Sequence, residues 1–136
     1  MSQIRETILI RENGDVVKAR QVGRDIARKL GFRVIDQTRL ATAISELTRN
    51  ILRYAGDGIC HINGDENGSS ANVEVIAEDN GPGIVDIAQV MQDGFSTGNG
   101  LGAGLPGTRR LMDQFEITSQ PGLTRVTVSM KRTLKR

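Results

Sequence analysis

At 136 residues, with 38% hydrophobic and 25% charged residues, the chain has the size and balance of one soluble domain able to bury a core. Aromatic residues make up only 3%, which argues against the stacking platforms of single-strand nucleic-acid binders and leaves the core to Ile, Leu, Val, Ala and Met. The formal net charge of +2 hides an asymmetry, because five cations (Arg125, Lys131, Arg132, Lys135 and Arg136) and no acid follow Glu116.

A basic end of that kind can touch nucleic acid or an acidic partner. With no other nucleic-acid signal in the chain, a solvated terminus is the expected reading, and neither nucleic acid nor membrane is expected as a partner. Cys60 and His61, the single residues of their types, cannot form an internal disulfide or a zinc site between them. Both fall in a predicted strand and are expected to be structural. No apolar run reaches the length of a membrane span, and Met1-Ser2-Gln3-Ile4-Arg5 lacks a signal-peptide pattern. A cytoplasmic protein is therefore expected.

In chain order, Thr7 to Arg11 reads as a short first strand ended by Asn13-Gly14. Asp15 is placed as a helix N-cap ahead of Val16, Ala19, Val22, Ile26 and Leu30, and Gly31 as the C-cap, which predicts helix one over about 15–30. Helix two is predicted from about Ile35 to Tyr54, with an apolar stripe Leu40, Ile44, Leu47, Ile51 at steps of four, three and four. Ala55-Gly56-Asp57-Gly58 breaks it. Two strands follow, Ile59 to Ile62 and Asn72 to Glu78, joined by Asn63 to Ala71, whose Gly, Asn, Asp and Ser content reads as a loop. A weakly helical piece covers Val85 to Met91. Residues 93–104 carry five of the sixteen glycines. Leu105 to Met112 reads as a third helix with Pro106 in its first turn. Two closing strands, Gln114 to Ser119 and Thr124 to Met130, flank a Pro121-Gly122 turn. The pattern predicts a single α+β domain over residues 1–136, a two-layer sandwich with helices on one face of a mixed, mostly antiparallel sheet.

Three stretches can carry chemistry. Asp79-Asn80-Gly81-Pro82-Gly83-Ile84 follows a strand-like run. Asp79 can accept a hydrogen bond from a flat donor such as the exocyclic amine of adenine, Gly81 and Gly83 let a ring approach the main chain, and Ile84 offers an apolar edge. A plain surface turn is the alternative. On helix two, Glu46 and Asn50 lie one turn apart at the edge of the apolar stripe. An amide oxygen there suits magnesium, a hard cation that prefers oxygen donors, and a carboxylate suits a general base. An exposed pair without a duty is the competing reading. Third, the glycine-rich stretch runs into a helix N-terminus near Leu105, where backbone amides and the helix dipole favour phosphates. Gly102-Ala103-Gly104-Leu105-Pro106-Gly107 matches the dinucleotide pattern formally, but no preceding strand supports it. Thr124, at the start of the last strand, can assist Asp79 or serve as an ordinary β-branched residue.

Taken together, Glu46-Leu47-Thr48-Arg49-Asn50 resembles the N-box of the GHKL ATPase and kinase superfamily. Asp79-Asn80-Gly81-Pro82-Gly83 resembles its first glycine box, and Gly100-Leu101-Gly102-Ala103-Gly104-Leu105 its second. Gly122-Leu123-Thr124 looks like a one-residue expansion of the usual Gly-Thr before the last strand. The wording from Gly98 to Asp113 is similar to the RsbT-type switch kinases of bacterial stress signalling. The resemblance implies the Bergerat ATP-binding fold and a serine/threonine kinase using ATP and magnesium. It implies STAS-domain antagonist and stressosome scaffold proteins as substrates, and a PPM-type phosphatase that the released kinase activates, freeing a sigma factor. By position, Asp79 would read adenine, Asn50 would hold magnesium, and Gly81, Gly83 and Ile84 would line the base pocket, with Thr124 beside Asp79. Gly100, Gly102 and Gly104, leading into Leu105, would form a lid over the phosphates, and Glu46 would take the proton of the acceptor hydroxyl. The competing readings are an anti-sigma-factor kinase that sequesters its sigma factor, a histidine-kinase catalytic domain, and a nucleotide-sensing module without transferase activity.

Overall fold

Alternation of apolar and polar residues at period two builds the sheet in the computed structural model, which describes residues 2–84, 91 and 104–133. The strands are β1 (Ser2–Ile10), β2 (Gly58–Glu66), β3 (Ser70–Asp79), β4 (Gln114–Gln120) and β5 (Leu123–Thr133). They pair in the order β1-β2-β3-β5-β4. Every pairing is antiparallel, where the sequence reading allowed a mixed sheet. β3 shows why the two faces separate: Ala71, Val73, Val75, Ala77 and Asp79 are buried, and the residues between them are not.

The helices α1 (Asn13–Lys29), α2 (Val34–Tyr54) and α3 (Gly104–Leu111) pack on the buried face. α2 lies between the other two and against β3. Its predicted stripe of Leu40, Ile44, Leu47 and Ile51 is buried as expected, and burial spreads to Ala43, Ser45, Glu46 and Thr48 because the helix has neighbours on three sides. The Ser45 and Thr48 hydroxyls donate back to Ala41 O and Ile44 O, so neither is stranded.

The helix ends follow capping chemistry. Asp15 is not the N-cap of α1; Glu12 is. Asp15 sits at the third helical position and accepts the backbone N–H groups of Arg11 and Glu12 at 2.9 and 3.1 Å, which is the reach-back half of a capping box. Gly31 lies just past the C-cap Leu30 with φ 79°. Gly31 N–H donates to Arg28 O and Phe32 N–H to Ala27 O, the paired bonds of a Schellman motif, with Phe32 and Ala27 both buried.

The polar joiner is the principal correction. Asn63 to Glu66 continue β2 and Ser70 and Ala71 begin β3, leaving only residues 67–69 as the turn, where Asn67 Oδ1 accepts from the backbone N–H groups of Ser69 and Ser70. Pairing overrides composition here. β2 has partners on both sides, so Asn63 and Asp65 can sit in the ladder with their side chains turned away from the helices. Gly64 faces α1, and a Cβ on it would lie 2.7 Å from Ile26 Cγ2 and 2.8 Å from Leu30 Cδ1. The missing side chain is what lets α1 settle on this part of the sheet. For the same reason β1 begins at Ser2, earlier than Thr7, since it follows β2 to Glu66. Of the weakly helical piece Val85–Met91, only Met91 is among the described residues.

Replacing Gly64 by Val should therefore destabilise the fold by about 1–3 kcal/mol through overpacking. Urea titration checks this, with a lower midpoint expected at an unchanged slope.

Candidate nucleotide site

The last buried position of β3 is an acid. Asp79 is 9% exposed and pairs in register with Thr124 of β5, so both side chains rise from the helix-covered face at one end of the sheet. α2 passes above and contributes Asn50, Leu47 and Tyr54 to the same cleft. Gly83 and Ile84 form one wall, and Leu105, in the first turn of α3, forms another. Asn50 and Asp79, from helix two and from the strand end, thus share one cavity with Ile84, Leu105 and Thr124.

Burial pushes the Asp79 carboxyl pKa up, opposed by the backbone N–H of Gly81, which donates to Oδ1 at 3.0 Å. A buried carboxylate with one donor among the described residues is costly for a fold to keep. The lining around it is mainly apolar, from Leu47, Ile51, Ala77 and Val126. Few polar groups on an apolar floor is the usual make-up of a site for a small flat ligand.

The glycines act in two ways. A Cβ on Gly81 would stand 2.7 Å from Ala55 Cβ, so this residue lets the strand end close on the end of α2. Gly81 does not line the cleft itself. Gly83 does line it, at φ 88°, and a Cβ there would stand 2.7 Å from Gln120 O. The segment is clamped to the β4–β5 turn by Gly122 N–H donating to Gly81 O and Asn80 Nδ2 donating to Gly122 O, both at 3.0 Å. Gly104 opens α3 at φ 68°, and its carbonyl accepts from Thr108 Oγ1. Gly100 and Gly102 lie outside the described residues.

Glu46 is not brought to this cleft. Four residues of helix turn through about 400°, so Glu46 is rotated by some 40° from Asn50, toward α1. It is 5% exposed, bonded to Arg49 Nη1 at 3.2 Å, and lines a neighbouring groove with Arg20, Arg24 and Thr38. Among the described residues no group of three or more His, Cys, Asp or Glu can hold a metal. A lone Asn50 side-chain oxygen in the cleft would hold magnesium only together with phosphates and water. Cys60 is fully buried and its thiol is pushed up to about 12 by burial, so it is a core residue, as expected. His61 accepts or donates at Nδ1 with Thr7 Oγ1 at 3.0 Å on the uncovered sheet face.

Sequence reasoning missed Ser119. Its Oγ accepts from Ile84 N–H at 2.7 Å and lies 2.6 Å from Thr124 Oγ1. The period-two positions of Phe115 and Ile117 put it on the cleft side of β4, a legible signal, but a serine at a strand end carries no motif. Gly58 does more than break the helix: a Cβ there would stand 2.3 Å from Glu78 O and 2.6 Å from Ile51 Cγ2, so it holds β2, β3 and α2 together beside Asp79.

The family model described as histidine kinase-, DNA gyrase B-, and HSP90-like ATPase matches residues 35–134. The chain is 56% identical over 108 residues to the curated serine/threonine-protein kinase RsbT of Bacillus subtilis (strain 168), spanning 79% of this chain and 81% of that one. Among solved structures it superposes at TM-score 0.64 and 20% identity on a Mycobacterium tuberculosis protein with RsbU and RsbW domains, with all of this chain and 34% of that longer one covered. Acinetobacter baumannii histidine kinase AdeS matches at TM-score 0.54 and 17% identity, over 96% of this chain and 68% of that one. At those identities the two structures speak for the fold alone. With the family model covering most of the chain and a curated kinase more than half identical to it, the chain belongs to the histidine kinase-, DNA gyrase B- and HSP90-like ATPases, and within them to the RsbT-type serine/threonine-protein kinases.

Proposed function

We propose that this kinase transfers the γ-phosphoryl group of ATP to a Ser or Thr of STAS-domain antagonist and scaffold proteins in the cytoplasm. When released from them, it binds and activates a PPM-type phosphatase in a sigma-factor partner-switching pathway. The observation that carries the reading is the shared cleft of Asn50 and Asp79. The partners rest on the likeness to RsbT, and the location is in keeping with the finding that no helix among the described residues is long and apolar enough to cross a membrane.

Asp79 accepts from the exocyclic amine of adenine, and Ile84 and Gly83 bound the ring. The first-turn amides of α3, at Gly104 and Leu105, face phosphate at the positive end of the helix dipole, with Gly100 and Gly102 in the lid. Asn50 would hold magnesium, which when bound neutralises charge on the phosphates. Glu46 takes the proton of the acceptor hydroxyl as its oxygen attacks the γ-phosphorus and ADP leaves. Since Glu46 opens on the α1–α2 groove and not on the base pocket, the acceptor side chain approaches from that side. Positioning and charge neutralisation account for most of the rate in such a transfer.

Incubation with labelled ATP and purified STAS domains tests the proposal. Wild type should label a STAS domain, and Glu46→Gln should lower the rate by ~10²–10⁴-fold with ADP affinity nearly unchanged. Equal labelling by wild type and Asp79→Asn, or none by either, removes the kinase reading. Capture of a sigma factor in place of a STAS domain would favour the sequestering alternative.

A second expectation concerns pH. Because burial raises the Asp79 pKa above its ordinary 3.8, the folded chain retains a proton that the unfolded chain has released between the two values. Stability from this group is greatest below 3.8 and falls as pH rises through the folded pKa. Asp79→Asn, which keeps Oδ1 for Gly81 N–H, should melt at or above wild type at neutral pH without nucleotide, with the difference closing toward pH 4. The same variant should lose ADP binding. Thermal melts at the two pH values, with calorimetry for ADP, check both halves.

A further inference from the structure

Two hydroxyls and one amide form a chain beside the base pocket. Ile84 N–H has a proton to give and donates it to Ser119 Oγ at 2.7 Å. Ser119 Oγ and Thr124 Oγ1 are 2.6 Å apart, close enough that one must donate to the other. If Thr124 donated, Ser119 would accept twice, and its own proton would have no acceptor among the described residues. If Ser119 donates, the proton left over is that of Thr124, which can point into the cleft that Thr124 lines with Asp79 and be taken there by a bound acceptor. Only this second arrangement lets an acceptor bound in the cleft pair the remaining donor, so base binding selects it.

We propose that Ser119 is a positioning residue that fixes the Thr124 hydroxyl as a hydrogen-bond donor toward the bound base, and thereby sets preference for adenine over guanine. The inference rests on Asp79 being the base-reading acid, as proposed above. Asp79 then presents an acceptor and Thr124 a donor side by side. Adenine offers the complement, an exocyclic N–H donor next to the N1 acceptor. Guanine offers the reverse, the O6 acceptor next to an N1–H donor. Sites built to hydrogen-bond one edge reject a mismatched one because buried polar groups are left unpaired. Ser119 does not line the cleft, so it acts only through Thr124 and through Ile84, which it holds in place.

Calorimetry of the full chain with ADP and with GDP tests this on Ser119→Thr, Ser119→Val, Thr124→Val and the Ser119→Val/Thr124→Val double variant. Ser119→Thr keeps the hydroxyl, and Ser119→Val keeps the same shape without it; both are β-branched and suit a strand. Ser119→Thr should keep the wild-type ratio of ADP to GDP affinity. Ser119→Val should narrow it by ~10-fold, and adding Ser119→Val to Thr124→Val should narrow it no further than Thr124→Val alone. Equal weakening of ADP and GDP by Ser119→Val, or a ratio that narrows further in the double variant, overturns the inference and makes Ser119 a structural residue. Asp79→Asn separates this from the underlying reading: loss of ADP binding there with no change of ratio in Ser119→Val sinks only the role of Ser119. Unchanged ADP binding in Asp79→Asn sinks both.

Discussion

A carboxylate held in the buried row of a central strand is the constraint around which this fold is arranged. Asp79 occupies a position that alternation assigns to an apolar residue, after Ala71, Val73, Val75 and Ala77. A valine there would extend the core, while an acid costs desolvation free energy with one backbone donor in partial compensation. The surroundings are built to keep it. Gly58 allows β2 to come close under it, Gly81 lets the strand end meet Ala55, and the Gly81–Gly122 and Asn80–Gly122 bonds tie the following turn to β5. Local rules broken at one residue and supported by its neighbours on every side are the mark of a site kept for a ligand.

α2 converts that constraint into a two-sided machine. Its stripe packs on the sheet, and its flanks meet α1 and α3, so it is buried well beyond one face. One flank carries both Asn50, over the cleft with Asp79, and, some 40° further round, Glu46, which lines a groove edged by Arg20, Arg24 and Arg49. Arg39 links the same helix to α3, donating from Nη1 to Asp36 at 3.0 Å and from Nη2 to Leu111 O at 2.5 Å. A cation on the final carbonyls of a short helix is favourable, and it fixes the helix whose other end supplies Leu105 to the cleft.

What could be read from the chain and what could not divide along physical lines. The 4-3-4 stripe of α2 and the alternation of β3 and β5 were legible because burial there follows a single face, and the period alone identifies it. The antiparallel extension of β1 and β2 was not, because Asn63, Gly64 and Asp65 join the ladder through pairing and close helix approach, neither of which is a property of the residues themselves. The N-cap of α1 lies three residues before Asp15, at Glu12, since an acid in a first turn can serve either as N-cap or as the returning partner. Asn50 and Asp79 were identifiable as box residues, and their meeting follows from β5 lying next to β3 with α2 above. Glu46 was grouped with Asn50 by spacing; the rotation of some 40° that parts them is small on a helical wheel yet enough to place the two on different openings.

That separation has its own logic. A kinase whose substrate is another folded protein must admit a nucleotide and a partner side chain to the same reaction without either blocking the other. On the reading proposed above, the base would enter beside β3 and β5, where Asp79 and Thr124 stand on an apolar floor. A protein surface would approach where Glu46 sits among arginines, a groove whose charge suits anionic groups and whose floor, at Ala41 and Ser45, is made of small residues. Helical geometry accomplishes the division with one element, because one turn of α2 sets the two side chains some 40° apart beside the same edge of its packed stripe, each lining a different opening.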